Sequence, residues 1–344
     1  MVKRDFYSYT KYATEYYSGE KKGNRVVYRD FYNEDGSVAY TQHIRGRHEV
    51  FEFPDQIYYS KNDLYLEMLK RLHLTKDDTI ILDREDDGNI LINGQLIFEH
   101  HNPARLVIVV HADHYDEHYT DKQRDLLIKQ FKQYQNVTPN VTTIPVGNLQ
   151  KLTKPTTKRK PHSLITASRL ATEKHIDWLV KAVAKAHKEV PDVTLDIYGQ
   201  GGEMGRLTEL INQNHANDYI RLMGQHDLTE VYKNYAAYIA GSTSEGFGLS
   251  LLEAVGSGLP MIGFDVPYGN QTFIDDGKNG YLLPYTQDWS DDKKVDLLAG
   301  AVVKLFTTAD QEKFIQRSYD LAEPYLTDNV AKRWGKLLEE LKHD

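Results

Sequence analysis

The stretch TSEGFGLSLLEAVGSGLP, residues 243–260, places Glu245 and Glu253 eight positions apart around a Gly-Phe-Gly turn. It follows AYIAGS, a short apolar run with strand character, and leads into LSLLEAVG, whose apolar spacing is helical. Strand, glycine turn and helix N-terminus together leave first-turn amides without intrahelical partners and a partial positive charge on the axis. That is a seat for a phosphate, and glycine lets the backbone approach it closely. Gly246, Phe247, Gly248, Leu249 and Ser250 form the expected seat. Glu253 lies one turn in and leans back towards the N-terminus, where the hydroxyls of a ribose would lie. Glu245 would face the group beyond the phosphates, because a carboxylate accepts from hydroxyls and repels phosphate. The competing reading is a capped helix with two solvated glutamates.

Outward from this stretch the second half alternates strand and helix. SLITAS, VTLDIYG, IRLMG, AYIAGS, PMIGFD and GYLLP are buried-strand runs. Helices are expected from about Ile176, Met204, Leu228 and Leu249. This is the pattern of a doubly wound parallel sheet of α/β class, whose ligands bind at the carboxyl edge. Arg169 and Lys174 follow the first of these strands and point to that edge, where a bidentate guanidinium and a compact ammonium suit a diphosphate. The alternative is two surface cations pairing with Glu173 or Asp177. In IYGQGGEMG the glycines Gly199, Gly201 and Gly205 miss the dinucleotide spacing by one position, so Gly199 is read as a tight strand–helix turn near the ligand. The run LVIVVHADH is a further buried strand, ending at His111 with Asp113 and His114 beside it. A cleft-facing substrate contact, a core histidine and a zinc ligand all remain open for His111.

The first hundred residues have a different grammar. NRVVYRDFY and SVAYTQHIR alternate in strand fashion about the turn NEDG, and EVFEF, TIILDRE and ILINGQLIF continue the series. KNDLYLEMLKRLHL interrupts it with helical spacing at Leu64, Leu66, Leu69 and Leu72. VTTIPVG reads as another strand, KLTKPTTKRKP as a linker, and NVAKRWGKLLEELK as an amphipathic closing helix. The expected division is a β-rich meander over 1–100, a partial Rossmann-like domain over 101–154, a complete one over 155–315, and a closing helix over 316–344 that packs back on the N-terminal lobe.

Composition narrows the function. A net charge of −8 argues against nucleic acid as partner, so an anion site has to be a local cluster. The absence of cysteine removes disulfides and thiolate chemistry and suits a cytoplasmic protein. There is no apolar run of membrane-spanning length and no apolar core of a signal peptide at the start. A peripheral position at the inner membrane face stays open.

Taken in order, SRLATEK, YGQGGE, MGQHD and STSEGFGLSLLEAVGSGLP resemble the retaining, nucleotide-sugar glycosyltransferases of family 4 with the GT-B fold, over about residues 105–344. The resemblance implies Glu245 on the donor sugar and Glu253 on the ribose. It implies Arg169 and Lys174 on the diphosphate, and His111 as the cleft histidine of the first domain. With the β-rich N-terminal part, the run EGFGLSLLEAVGSGLPMIGFDVPYGNQTFIDDGKNGYL is similar to the GtfA family of the accessory Sec system. That family moves GlcNAc, or in some members glucose, from the UDP-sugar to Ser/Thr of serine-rich repeat adhesins. Its meander binds the acceptor polypeptide and a GtfB partner subunit. It implies UDP-GlcNAc or UDP-Glc as donor, no cofactor and no metal. Wall teichoic acid α-GlcNAc transferases of the TarM type share the insertion, and a non-catalytic adhesin-binding partner is the other alternative. The family's opening strand, glycine loop and helix precede the insertion, whereas this chain starts almost at the insertion. A partial first domain is therefore expected, with doubtful activity for the chain alone.

Overall fold

The computed structural model describes residues 2–19, 23–46, 48–82, 96–97, 99–108, 142 and 144–343. The chain falls into two compact units, one drawn from residues 1–110 with 341–344 and the other from residues 111–340.

The first unit is built on six antiparallel strands in sequential order. They are β1 (Val2–Tyr7), β2 (Lys11–Tyr17), β3 (Val26–Tyr32), β4 (Val38–Arg45), β5 (His48–Glu52) and β6 (Ile57–Tyr58). The NEDG turn joins β3 to β4 as its residue types demand, with Gly36 at φ 85°. Most strand positions are only half buried, so cross-strand pairs hold the sheet. Tyr16 stacks on Tyr28 at 4.2 Å, and Tyr40 stacks on Phe31 at 4.5 Å and on Phe53 at 4.7 Å. Between the rings Arg29 donates to Glu15 at 2.8 Å and to Gln42 at 3.2 Å. Helix α1 (Lys61–Arg71) follows, capped by Ser60 Oγ, which accepts from the Asp63 amide at 3.1 Å. Its leucines are half buried, and Leu72 lies past its end, exposed.

Two expectations change here. The segment starting TIIL does not extend the meander: β7 (Thr79–Leu82) pairs in parallel with β8 (Arg105–Ile108) as a separate two-stranded sheet. Period-2 patterning marks a strand without naming its partner. The run 90–98 lies almost wholly outside the described residues, as do His111, Asp113 and His114. Of VTTIPVG, the described residues 142 and 144–147 form no strand.

The second unit holds six parallel strands: β9 (Ser163–Ala167), β10 (Thr194–Tyr198), β11 (Ile220–Gly224), β12 (Ala237–Ile239), β13 (Met261–Phe264) and β14 (Gly280–Leu283). Their order is β11-β10-β9-β12-β13-β14. The chain therefore reverses its direction of travel across the sheet between β9 and β12. Alternate strand residues enter two separate cores. Leu164, Ile197, Ile239 and Ile262 join one with α2 (Ile176–Ala186), α3 (Met204–Gln213) and, later in the chain, α6 (Asp291–Thr307). Ile165, Tyr198, Tyr238 and Met261 join the other with α4 (Leu249–Gly256), α5 (Gly269–Phe273) and α7 (Gln311–Ala322). Burial on both faces explains why these strands are almost continuously apolar. The helix expected from Leu228 is absent. Asp227 takes the Thr229 amide in a turn at 3.0 Å, and only a single 3-10 turn, Tyr232–Asn234, follows. The closing helix α8 (Thr327–His343) is anchored at its start, where the Thr327 amide donates to Leu149 O at 2.9 Å. Among the described residues no helix is long and apolar enough to cross a membrane.

Candidate functional site

Chains leaving β9 and β12 at their carboxyl ends diverge at the reversal of strand order, and a doubly wound sheet opens a crevice there. The β9 exit carries Arg169 and Lys174, and the β12 exit carries the glycine turn and α4.

Lys174 ends a 3-10 turn, Thr172–Lys174. The next residue, His175, is left-handed at φ 44° and stacks on Trp178 at 3.6 Å. Burial lowers its pKa, so the ring is neutral near pH 7. This corner turns Lys174 towards the β12 exit, where its Nζ donates to Glu245 Oε2 at 2.6 Å. The two side chains are 15% and 19% exposed, so the crevice shields a pair drawn from positions 71 apart. Glu245 is held along its backbone as well. Its amide donates to Pro267 O at 3.0 Å, and its carbonyl accepts from the Gly269 amide at 2.8 Å. A methyl group on Gly269 would meet the Phe247 carbonyl oxygen at 2.6 Å, so only glycine lets these loops close.

Gly248 caps α4 at φ 80° with no side-chain hydrogen bond to the helix. The first-turn amides of Leu249 and Ser250 therefore keep the unpaired character that a free helix N-terminus has. Gly246 is exposed, while the Phe247 ring turns away from the seat, packing edge-on against Phe273 at 5.4 Å. Only the backbone of Phe247 contributes to the turn. Glu253 is open to solvent yet so surrounded by protein that burial raises its carboxyl pKa. Below it lies Tyr232, whose buried hydroxyl makes no hydrogen bond of good geometry but is near enough to pull the Glu253 pKa partly back down.

Arg169 differs from the expected geometry. Its side chain is 77% exposed and its guanidinium pairs with Glu173 at 2.9 Å, the surface pairing that was its competing reading. Such a pair contributes little, so a phosphate can compete for the guanidinium at small cost. Gly199 sits at φ 132°, and a Cβ there would lie 1.8 Å from the Ser168 carbonyl oxygen. Its position is set by the approach of the β10 exit to the β9 exit, next to Arg169. The structure thus brings Lys174, Glu245 and the α4 N-terminus together, places Glu253 one turn on, and leaves Arg169 at the rim.

Tyr232 and Tyr238 were missed by the sequence reading. For Tyr238 the signal was present, since a tyrosine in a strand buried on both faces needs a partner for its hydroxyl. The described residues also line a hollow of about 580 Å³ around Lys278, Lys304, Lys313 and Arg317. It lies beside β14, remote in the strand order from the reversal point, and shares no residue with the crevice.

Comparison with known proteins bears on this geometry. Residues 161–307 match the family described as glycosyl transferases group 1, and residues 1–55 match the GtfA extended beta-sheet domain. A relative from Limosilactobacillus reuteri subsp. suis is described as UDP-N-acetylglucosamine–peptide N-acetylglucosaminyltransferase GtfA subunit. It is 62% identical, over 100% of this chain and 73% of its own length. The crystal structure of the pneumococcal O-GlcNAc transferase GtfA in complex with UDP and GlcNAc superposes with a TM-score of 0.86 at 44% identity. The match covers 100% of this chain and 72% of that one. A GtfA/B complex structure matches at 0.83 and 45%, over 100% and 73% of the two chains. TarM, at 21% identity and a TM-score of 0.72, over 98% and 70%, shares the fold. The chain has the α/β architecture of the GT-B glycosyltransferases and belongs to the GtfA subunit family of UDP-N-acetylglucosamine–peptide N-acetylglucosaminyltransferases.

Proposed function

We propose that this chain transfers GlcNAc from UDP-GlcNAc to Ser or Thr hydroxyls of a serine-rich adhesin, with retention, as the GtfA member of a pair with a GtfB-type subunit. The reading is carried by one observation: the shielded Lys174–Glu245 pair stands beside uncapped helix amides at the reversal point of a parallel sheet. In the apo state that pair holds each charge ready, and the diphosphate takes Lys174 over when it arrives. Arg169 leaves Glu173 to grip the same diphosphate, the α4 amides take its oxygens, Glu253 accepts from the ribose, and Glu245 then faces the donor sugar. As the bond from the sugar C1 to the β-phosphate oxygen breaks, charge grows where Lys174, Arg169 and the amides already point. The acceptor oxygen bonds to C1 on the face the phosphate leaves, and its proton passes to that phosphate oxygen. UDP and the O-linked GlcNAc result, with no cofactor. Positive side chains do the neutralising, so chelation with EDTA leaves the rate unchanged. Use of a cytoplasmic sugar nucleotide sets the location in the cytoplasm.

The test is incubation of the chain, alone and with a GtfB-type subunit, with UDP-GlcNAc, UDP-Glc or no donor and a Ser-rich peptide. Mass spectrometry should find one GlcNAc increment per modified hydroxyl. Peptide binding without any transfer, in both preparations, would assign the chain to a non-catalytic adhesin partner. Transfer to polyribitol phosphate and none to peptide would assign it to the teichoic acid class.

A further inference from the structure

Tyr238, in β12, is 2% exposed and belongs to the core shared with α4. Its hydroxyl oxygen lies 3.1 Å from the Ala167 carbonyl oxygen, 3.4 Å from the Ala167 amide nitrogen and 3.2 Å from Ser250 Oγ. Ala167 is the last residue of β9, two before Arg169, and Ser250 is the second residue of α4. A single buried hydroxyl thus ties together the two segments that frame the crevice.

The phenol has one proton, with Ala167 O and Ser250 Oγ at hydrogen-bond distance and the Thr166 hydroxyl also close enough to act on it. Donated to Ala167 O, it leaves the serine hydroxyl to point back at the phenol oxygen. Donated to Ser250 Oγ, it leaves the serine proton nothing to bond on that side, so the proton turns outward over the helix N-terminus. An anion seated on those amides selects the second arrangement, and two hydroxyls in series strengthen one another. We propose that Tyr238 is a positioning residue for the donor diphosphate, acting through Ser250. The inference rests on the donor-seat reading above and adds to it the group that sets the direction of the serine hydroxyl. Tyr235 supplies the contrast. It is buried in the same core, but its hydroxyl donates to Asp196 at 2.6 Å, and Arg221 holds that carboxylate through two bonds at 2.7 and 2.8 Å. That network stabilises β10 and β11 and does not engage α4.

Tyr238→Phe, Ser250→Ala, the double variant and Tyr235→Phe are titrated with UDP and with uridine by calorimetry, and their Tm values are recorded. Loss of one hydrogen bond weakens UDP about three- to tenfold in Tyr238→Phe, and uridine by less than about twofold, because only the diphosphate faces Ser250. Ser250→Ala behaves alike, and the double variant is no weaker than Ser250→Ala alone. Tyr235→Phe lowers Tm and keeps the ratio of UDP to uridine affinity. Unchanged UDP binding in Tyr238→Phe, equal loss of UDP and uridine, or additive losses in the double variant each overturn the proposal. If Tyr238→Phe does not fold, undiminished UDP affinity in Ser250→Ala overturns it. A wild-type chain with no affinity for UDP sinks the donor-seat reading, and this inference with it; wild-type binding with any of the failures above sinks this inference alone.

Discussion

The two six-stranded sheets of this chain solve the same problem in opposite ways. The parallel sheet is sealed on both faces, with Leu164 and Ile239 on one and Ile165 and Met261 on the other at 0% exposure, so its stability comes from bulk apolar burial. The antiparallel sheet buries few strand residues completely, among them Ala13, Thr14, Gln42 and Phe51, and depends on aromatic and charged pairs across its strands. A sealed sheet is stiff, and its chemistry is confined to the edge where the loops leave. A sheet held by its own surface pairs leaves side chains available, with Tyr7, Tyr9, Tyr12 and Tyr59 among its exposed rings.

Matched substitutions can break this contrast. Phe264→Ala should cost about 3–5 kcal/mol in the second unit, while Phe31→Ala, removing a ring stacked on Tyr40, should cost only about 1–2 kcal/mol in the first. Chemical denaturation gives both numbers, and equal costs would show that the two sheets are not built differently. Next in size are the charged pairs. Asp196, 5% exposed at its side chain, receives both Arg221 and the Tyr235 hydroxyl, so Asp196→Ala removes an acceptor of a buried hydroxyl together with an ion pair and should cost about 2–3 kcal/mol. The partly exposed Arg29–Glu15 pair should lose no more than about 1 kcal/mol in Glu15→Gln. The reverse order in measured stability would contradict the assignment.

The smallest effect has the opposite sign. Burial raises the Glu253 carboxyl pKa above 4.5, so the unfolded chain ionises more readily than the folded one. Ionised Glu253 therefore lowers stability at every pH above the raised value, and the cost disappears below 4.5, where both states are protonated. Glu253→Gln should raise Tm slightly at pH 7 and give no increase near pH 4, while weakening donor binding. A lower Tm at pH 7 would show the carboxylate to be a structural group.

Much of the fold was legible because periodicity follows burial. SLITA and GYLL read as buried strands because they are continuous apolar runs, and the tyrosine-rich runs about NEDG read as a hairpin because β-branched and aromatic residues flank a turn. Partner choice was less legible. The TIIL segment is as rich in β-branched residues as the meander strands and joins another strand, since register and neighbour are set by long-range packing. At the site, residue types marked Lys174 and Glu245 separately, but their pairing arises from the order of strands in space, which spacing along the chain does not encode. Arg169 shows the same limit from the other side, because Glu173, four positions on, captures it locally. Tyr238 was legible as a buried hydroxyl in need of a partner; that the partners are Ala167 and Ser250 is set by the fold.

The most direct test of the crevice as a UDP seat is calorimetric titration of UDP into the wild-type chain and into Lys174→Ala, with circular dichroism confirming the fold of both. A charge-assisted contact of about 1.5–3 kcal/mol predicts an affinity at least about tenfold weaker in Lys174→Ala. Equal affinity in the two folded proteins would contradict the placement of the diphosphate beside Lys174 and the α4 N-terminus.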